Sequence, residues 1–322
     1  MIPKDYLFVV GVGRSGTTLL QSMIASHSRI AMMPETGFIR RYLATGKLGA
    51  VRKRSGRNQL EQTIADDRYF DRLKPAMVLK AVNAAMQAVD RVDYIFYKTL
   101  LDAHALEAGA SFAADKDPRA IEYLPIIRRY FPKAHVINII RDPRAVLSSK
   151  KKAQWSMNRH PIVHIFANRV QLRLGRRLGR RLFAGRYHEI YFEHLLEEPA
   201  DVLKRLGRQT GLGYERAMVN DYRRSAEQLV HDTEINWKKE TLGPIRISNI
   251  GKWKRSLANW EIALTELVCS EAFRLGSYPK SNALKSLPRI QALVIIATAV
   301  AIRAMCPVYE VFRIWKLRRS VQ

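Results

Sequence analysis

Three observations predict an α/β fold with a central parallel sheet flanked by helices. Short apolar, β-branched-rich runs recur at residues 6–12, 29–33, 111–115 and 134–140, and a fifth stands at 188–192. Helix-period segments separate them, notably 16–26, 98–109 and 118–131, and such alternation argues for βαβ units. The first run passes straight into a glycine-rich turn, Gly11-Val12-Gly13-Arg14-Ser15-Gly16-Thr17-Thr18, and then into Leu19-Leu20-Gln21-Ser22-Met23-Ile24. A buried strand, a glycine turn and the first turn of a helix form a phosphate cradle. The glycines let the backbone wrap closely, and the exposed N–H groups of the helix start point at an anion.

The spacing from Gly11 to Gly16 is that of a nucleotide-binding phosphate loop. Thr17, however, stands where such a loop places its lysine, and Arg14 is its only cation. The loop therefore suits a phosphate-like group other than the β/γ-phosphates of a nucleoside triphosphate.

After the second strand, a basic, turn-rich stretch (Gly46 to Arg57) leads into helices through about Val89, so 44–90 reads as a helical insertion or lid. The strongest strand ends in Arg141-Asp142-Pro143-Arg144-Ala145-Val146-Leu147-Ser148-Ser149. Arg141 thus lies at a strand's C-terminal end, where open α/β sheets bind ligands. Ser149 follows two helical turns later and reaches the same ligand only if the helix runs alongside it. On a helix over about 162–184, Arg173, Arg176, Arg177, Arg180 and Arg181 share one face, which favours a solvated surface over an anion site. Residues 1–280 then form the main domain, and 281–322 an extension. There the apolar stretch Ala292–Ile302, too short to span a bilayer, precedes interleaved apolar, aromatic and basic residues ending in Lys316-Leu317-Arg318-Arg319. That interleaving suits a membrane interface, with packing on the domain or a dimer contact as alternatives.

Lys and Arg number 55 against 29 Asp and Glu, a formal charge of +26, so anionic partners are expected. Two cysteines, Cys269 and Cys306, make no disulfide framework and no metal-ligand spacing. With no leader pattern before the first strand, the expected location is cytoplasmic, peripheral to an anionic membrane if the extension docks there.

Together the two phosphate motifs resemble the sulfotransferases that use 3′-phosphoadenosine-5′-phosphosulfate. In that family Arg-Ser-Gly-Thr-Thr cradles the 5′-phosphosulfate, and Arg-Asp-x-Arg followed by a serine holds the 3′-phosphate. Lys116-Asp117-Pro118 and the segment Leu124–Ala134 extend the likeness, which is nearest in layout to tyrosylprotein sulfotransferases and, in outline, bacterial carbohydrate sulfotransferases. Glu193-His194-Leu195-Leu196 looks like the family's Tyr-Glu-x-Leu segment, with Phe192 in the tyrosine's place and Tyr191 beside it, and Lys252-Trp253 looks like its late Lys-Trp contact.

The resemblance implies a P-loop-like fold and assigns roles. Arg14, Ser15, Gly16, Thr17 and Thr18 would hold the 5′ side of the co-substrate, and Arg141 and Ser149 the 3′-phosphate. Tyr191 and Lys252 would add further contacts. Arg14 and Lys116 would neutralise charge during transfer, and Glu35, in Met32-Met33-Pro34-Glu35-Thr36, would be the general base, with His27 as the weaker candidate. Thr241 and Ser248 are candidates for a late sulfonate contact, and no metal is required. The implied reaction is sulfuryl transfer to a hydroxyl acceptor, first a carbohydrate or glycolipid, second a peptide tyrosine. A kinase would need the missing loop lysine, and a nucleic-acid-binding protein would need stacking aromatics among its arginines, so no nucleic acid partner is expected.

Overall fold

The computed structural model describes residues 3–319; residues 1–2 and the 320–322 end of the extension lie outside the described residues, as do the side chains of Trp237, Arg318 and Arg319. All five expected strands form: β1 (Asp5–Gly11), β2 (Ile30–Met32), β3 (Phe112–Lys116), β4 (His135–Ile140) and β5 (Tyr187–Tyr191). They pair in the order β2-β3-β1-β4-β5, every pair parallel. Along β1, Phe8 and Val10 enter one apolar cluster while Leu7 and Val9 enter another, as the two-residue period of a strand buried on both faces requires.

Helix α1 (Thr17–Ala25) follows the glycine turn; α2 (Lys47–Ala65), α3 (Pro75–Gln87) and α4 (Val92–Glu107) separate β2 from β3. Residues 44–90 are not a detached body, because Leu48, Leu60, Phe70 and Val82 sit in the same cluster as Phe8 and Val10. Helices α5 (Leu124–Tyr130), α6 (Pro143–Lys152) and α7 (Pro161–Leu182) lead to β5; α8 (Phe192–Glu197), α9 (Pro199–Thr210), α10 (Ala217–Asn220), α11 (Tyr222–Leu229) and α12 (Ile235–Leu242) follow. The chain finishes with α13 (Asn259–Val268), α14 (Ser270–Leu275) and α15 (Arg289–Arg319).

Two expectations gain detail. The arginine face of α7 is partly solvated, with Arg177, Arg180 and Arg181 exposed, but several of its arginines also pair with carboxylates. Arg176 is buried and bonds Glu189 at 2.6 Å and Glu271 at 2.5 Å, Arg180 reaches Glu189 at 3.0 Å, and Arg173 and Arg177 both pair with Glu310 at 2.9 and 3.1 Å. Their acidic partners come from β5, α14 and α15, too distant in sequence for a helical-face argument to find. The second concerns Ala292–Ile302, which is only part of one continuous helix, α15, apolar and long enough to cross a membrane by length and composition alone. Along the inner side of α15, Ile295, Ala299, Ile302, Cys306, Glu310, Arg313 and Leu317 are buried.

Arg144 locks the C-terminal helices to the sheet. Its guanidinium bonds Asp142 at 2.8 Å, Glu266 at 2.7 Å and the Pro279 carbonyl at 3.0 Å. It also lies between the rings of Trp253, at 3.8 Å, and Phe273, at 4.7 Å. Removing one partner of a buried ion pair strands the other charges. Arg144→Ala is expected to lose about 3–5 kcal/mol in urea unfolding, and Arg144→Lys to recover little of it, since a lysine cannot reproduce the planar fork and stack.

Candidate active site

β1 sits between β3 and β4, with Val9 opposite Lys116 and Gly11 opposite Ile139, so three strand ends meet at one edge. Parallel strands release their connecting loops at this edge, and a cleft of about 600 Å³ opens there. Gly13, Arg14, Gly16, Thr17, Thr18, Glu35, Lys116, Arg141 and Ser149 all line it. The turn after β1, the turn after β2, the end of β3 and the turn after β4 therefore contribute to one site.

The glycine turn is strained where it matters. Arg14 has φ 76°, in the left-handed region that a residue with a Cβ occupies at a cost, and Gly16 follows at φ 92°. A Cβ on Gly16 would lie 2.2 Å from the Phe192 ring, so only glycine fits. No side chain caps α1, which leaves its first N–H groups facing the cleft. The Arg14 Nε donates to Ser149 Oγ at 3.0 Å, which joins the glycine turn to α6. Arg141 Nη1 donates to the Arg14 carbonyl at 3.1 Å, its guanidinium lies 4.2 Å from the Phe192 centroid, and its buried Nε has no hydrogen-bond partner among the described residues. Glu193 holds this turn by accepting from the Asp142 N–H at 3.1 Å and from the Tyr278 hydroxyl at 2.5 Å. Burial, and then the charge of Arg141, lower the Arg14 pKa to about 10; burial lowers that of Arg141 as well. Two cations held together out of water, one with an orphaned donor, make a site that an anion would relieve.

On the opposite side of the cleft, Gln21 Nε2 donates to the Met33 carbonyl at 3.1 Å and the Met33 N–H donates to Ala114 at 2.8 Å, which sets the turn carrying Glu35 beside β3. Strand alternation sends Lys116 to the face opposite Asp115, whose carboxylate accepts from Tyr97 at 2.6 Å. Lys116, wholly buried, bonds Glu35 directly. A second ammonium, Lys238 on α12, reaches Glu35 at 3.2 Å and Glu234 at 2.7 Å. Burial would raise the Glu35 carboxyl, but Lys116 and Lys238 overcome it and hold the group at about 2. Glu35 is thus ionised throughout the physiological range. Lys238 escaped sequence reasoning; its signal was the Glu234…Lys238 pair at helical spacing, whose role shows only once α12 lies beside the turn that carries Glu35.

Other expected site residues fall elsewhere. Ser15 is buried and does not line the cleft. Tyr191 packs beside Val12, Ile140 and Leu172, whereas Phe192 lines the cleft. Lys252 lies outside it, paired at 2.8 Å with Glu240, which does line it. Thr241 is at the wall and Ser248 is not. His27 is buried behind α1 with Glu215 at 3.4 Å, remote from the cleft lining.

Residues 6–216 match the sequence profile of the Sulfotransferase family. Protein-tyrosine sulfotransferase 1 of Danio rerio is 33% identical over 144 residues, 44% of this chain and 34% of the relative. An uncharacterized protein of Aquifex aeolicus (strain VF5) is 25% identical over 261 residues, 78% of this chain and 31% of that protein. The chain thus spans about a third of the length of these curated relatives. Among solved structures, the sulfotransferase domain of the Synechococcus PCC 7002 olefin synthase superposes with a TM-score of 0.57 at 20% identity, covering 92% of this chain and 94% of the domain.

Two outcomes are expected from this geometry. Arg14→Gly should be more stable than Arg14→Ala by about 1 kcal/mol in thermal unfolding, because only the alanine retains the left-handed penalty. The Glu35 carboxyl binds its proton less tightly folded than unfolded, so its stabilisation is complete above pH 4.5 and drains away as pH falls towards 2. Urea unfolding at pH 6 and pH 3 should therefore show an acid loss in the wild type that is smaller in Glu35→Gln by roughly 2 kcal/mol.

Proposed function

The chain belongs to the sulfotransferase family, and from that premise we propose that it transfers a sulfuryl group from 3′-phosphoadenosine-5′-phosphosulfate to a hydroxyl of a carbohydrate or glycolipid. The observation that carries this reading is the convergence of Arg14, Arg141 and Ser149 on one cleft wall, opposite the ionised Glu35. The orphaned Arg141 Nε and the uncapped start of α1 fit a ligand with two separate anionic groups. When bound, the co-substrate supplies an activated sulfuryl group.

The protein's part is to position reactants and neutralise charge. Gly16, Thr17 and Thr18 would hold the 5′ side, and Arg141 with Ser149 the 3′-phosphate. Arg14 and Lys116 would face the charge that develops during in-line displacement. The Glu35 carboxylate would accept the proton of the acceptor hydroxyl. Lys116 and Lys238 keep that carboxylate charged yet weakly basic, so a drift of either ammonium towards an anionic partner would raise its proton affinity as the reactants assemble.

Arg68, Arg72, Arg119 and His231 line the rest of the cleft with Tyr69 and Trp155. Cations mixed with aromatic faces suit a hydroxyl-rich acceptor that also bears negative charge. A peptide tyrosine is the second reading, favoured by the likeness to the Danio rerio enzyme. The reading places the enzyme in the cytoplasm, peripheral to the membrane.

Calorimetric titration with adenosine 3′,5′-bisphosphate, AMP and ATP tests the proposal. Tight binding of the bisphosphate alone is expected, lost by tenfold or more in Arg141→Ala, at about 1.4 kcal/mol per tenfold. Preference for ATP would sink it. In a labelled-sulfate assay Glu35→Gln should lower turnover by about 10²–10⁴-fold while binding the bisphosphate at least as tightly as the wild type.

A further inference from the structure

We infer that α15 is an in-plane docking element for an anionic lipid bilayer, its outer stripe entering the headgroup–acyl boundary while its inner stripe grips the catalytic domain. The inference rests on the peripheral placement proposed above and names the surface responsible. Of the eighteen exposed large apolar side chains among the described residues, ten lie on this one helix, including Leu293, Val300, Val308 and Phe312. Soluble surfaces rarely gather such a patch without covering it.

The charges of α15 are sorted in the same sense. Its only acidic residue, Glu310, is turned inward to Arg173 and Arg177, and Arg313 pairs with Glu122 at 3.0 Å. Exposed Arg289 and Arg303 stand on a helix with no outward carboxylate, and Trp315 lies near its C-terminal end. Apolar and aromatic groups mixed with cations, on a chain of net charge +26, complement a bilayer carrying negative headgroups.

The inner stripe decides between lying on the membrane and crossing it. A spanning α15 would have to leave Arg173, Arg177 and Glu122 without their partners or carry Glu310 and Arg313 into hydrocarbon. Buried positions from Ile295 to Leu317 bind the helix along the domain for most of its length. A two-fold pairing of α15 with a second copy would present no outer carboxylate to Arg303 on either side. Tyr309 of α15 also lines a recess of about 260 Å³ whose other walls include Gly13, Arg119 and Trp155, residues shared with the cleft. The inner side of α15 thus borders a recess that adjoins the cleft.

Flotation of the full chain with vesicles tests this. Binding is expected to phosphatidylcholine vesicles containing about a third phosphatidylglycerol, not to phosphatidylcholine alone, and to fall as salt is raised. The double variant Leu293→Glu/Val308→Glu should bind at least about tenfold less, with affinity for adenosine 3′,5′-bisphosphate unchanged. Equal flotation of variant and wild type would overturn the inference, as would absence of wild-type binding. So would a dimer in sedimentation that the variant breaks without any vesicle binding, or wild-type protein that alkaline carbonate cannot extract. Intact vesicle binding without bisphosphate binding would defeat the proposed activity while leaving this surface standing.

Discussion

Parallel pairing of β1 between β3 and β4 is the constraint on which the cleft depends. Because hydrogen bonding sets Val9 against Lys116 and Gly11 against Ile139, the chain leaves three strands at nearly one level. A glycine turn, a buried lysine and an arginine turn are thereby delivered to the same edge. A slip of one residue in β3 would send Lys116 to the other face of the sheet and put Asp115 or Asp117 in its place. The sign of the local charge would then reverse. The cationic character of the site thus rests on strand register as much as on composition.

That concentration of charge is costly, and the surrounding structure answers it piece by piece. Burial and then the charge of Arg141 depress Arg14, and contacts with Ser149 and Phe192 hold the two guanidinium groups in place. Lys116 is buried outright, which is tolerable because Glu35 stands against it. Glu35 in turn is shared with Lys238, so the two sides of the cleft have different characters. One is lined by the guanidinium groups of Arg14 and Arg141; the other has an ionised carboxylate held between two ammonium groups. That asymmetry suits the transfer proposed above.

The second arginine of the Arg141 motif shows how one short sequence divides its labour. Arg141 faces the cleft, while Arg144, three residues on, points into a sandwich of Trp253 and Phe273 closed by Asp142 and Glu266. Lys252 and Trp253 divide likewise, with the tryptophan turned inward and the lysine outward to Glu240. The arginines of α7 serve cohesion too, and Glu310 shared by Arg173 and Arg177 holds α15 on the domain.

Local signals were enough for much of this. Strand runs, the glycine turn and the Arg-Asp-Pro strand end are read from neighbouring residues, because backbone periodicity and turn chemistry act over a few positions. They predicted all five strands and the parallel α/β class, whereas the grouping of Arg14, Lys116, Arg141, Ser149 and Glu35 in one site was implied by the family resemblance. Residues whose meaning lies in a distant partner were not legible. Lys238 became part of the site only when α12 came to rest beside the turn carrying Glu35, Tyr191 yielded its place at the cleft to Phe192, and the α7 arginines found carboxylates on β5, α14 and α15. Likewise, the apolar C-terminal run carried its own helical pattern, but only packing showed which stripe is buried and which faces outward. The sequence by itself determined the sheet and the phosphate-binding turn, since both arise from short-range sterics and periodicity. Tertiary structure alone decided which charges are neutralised and which remain for a ligand, because electrostatic pairing depends on distance in space.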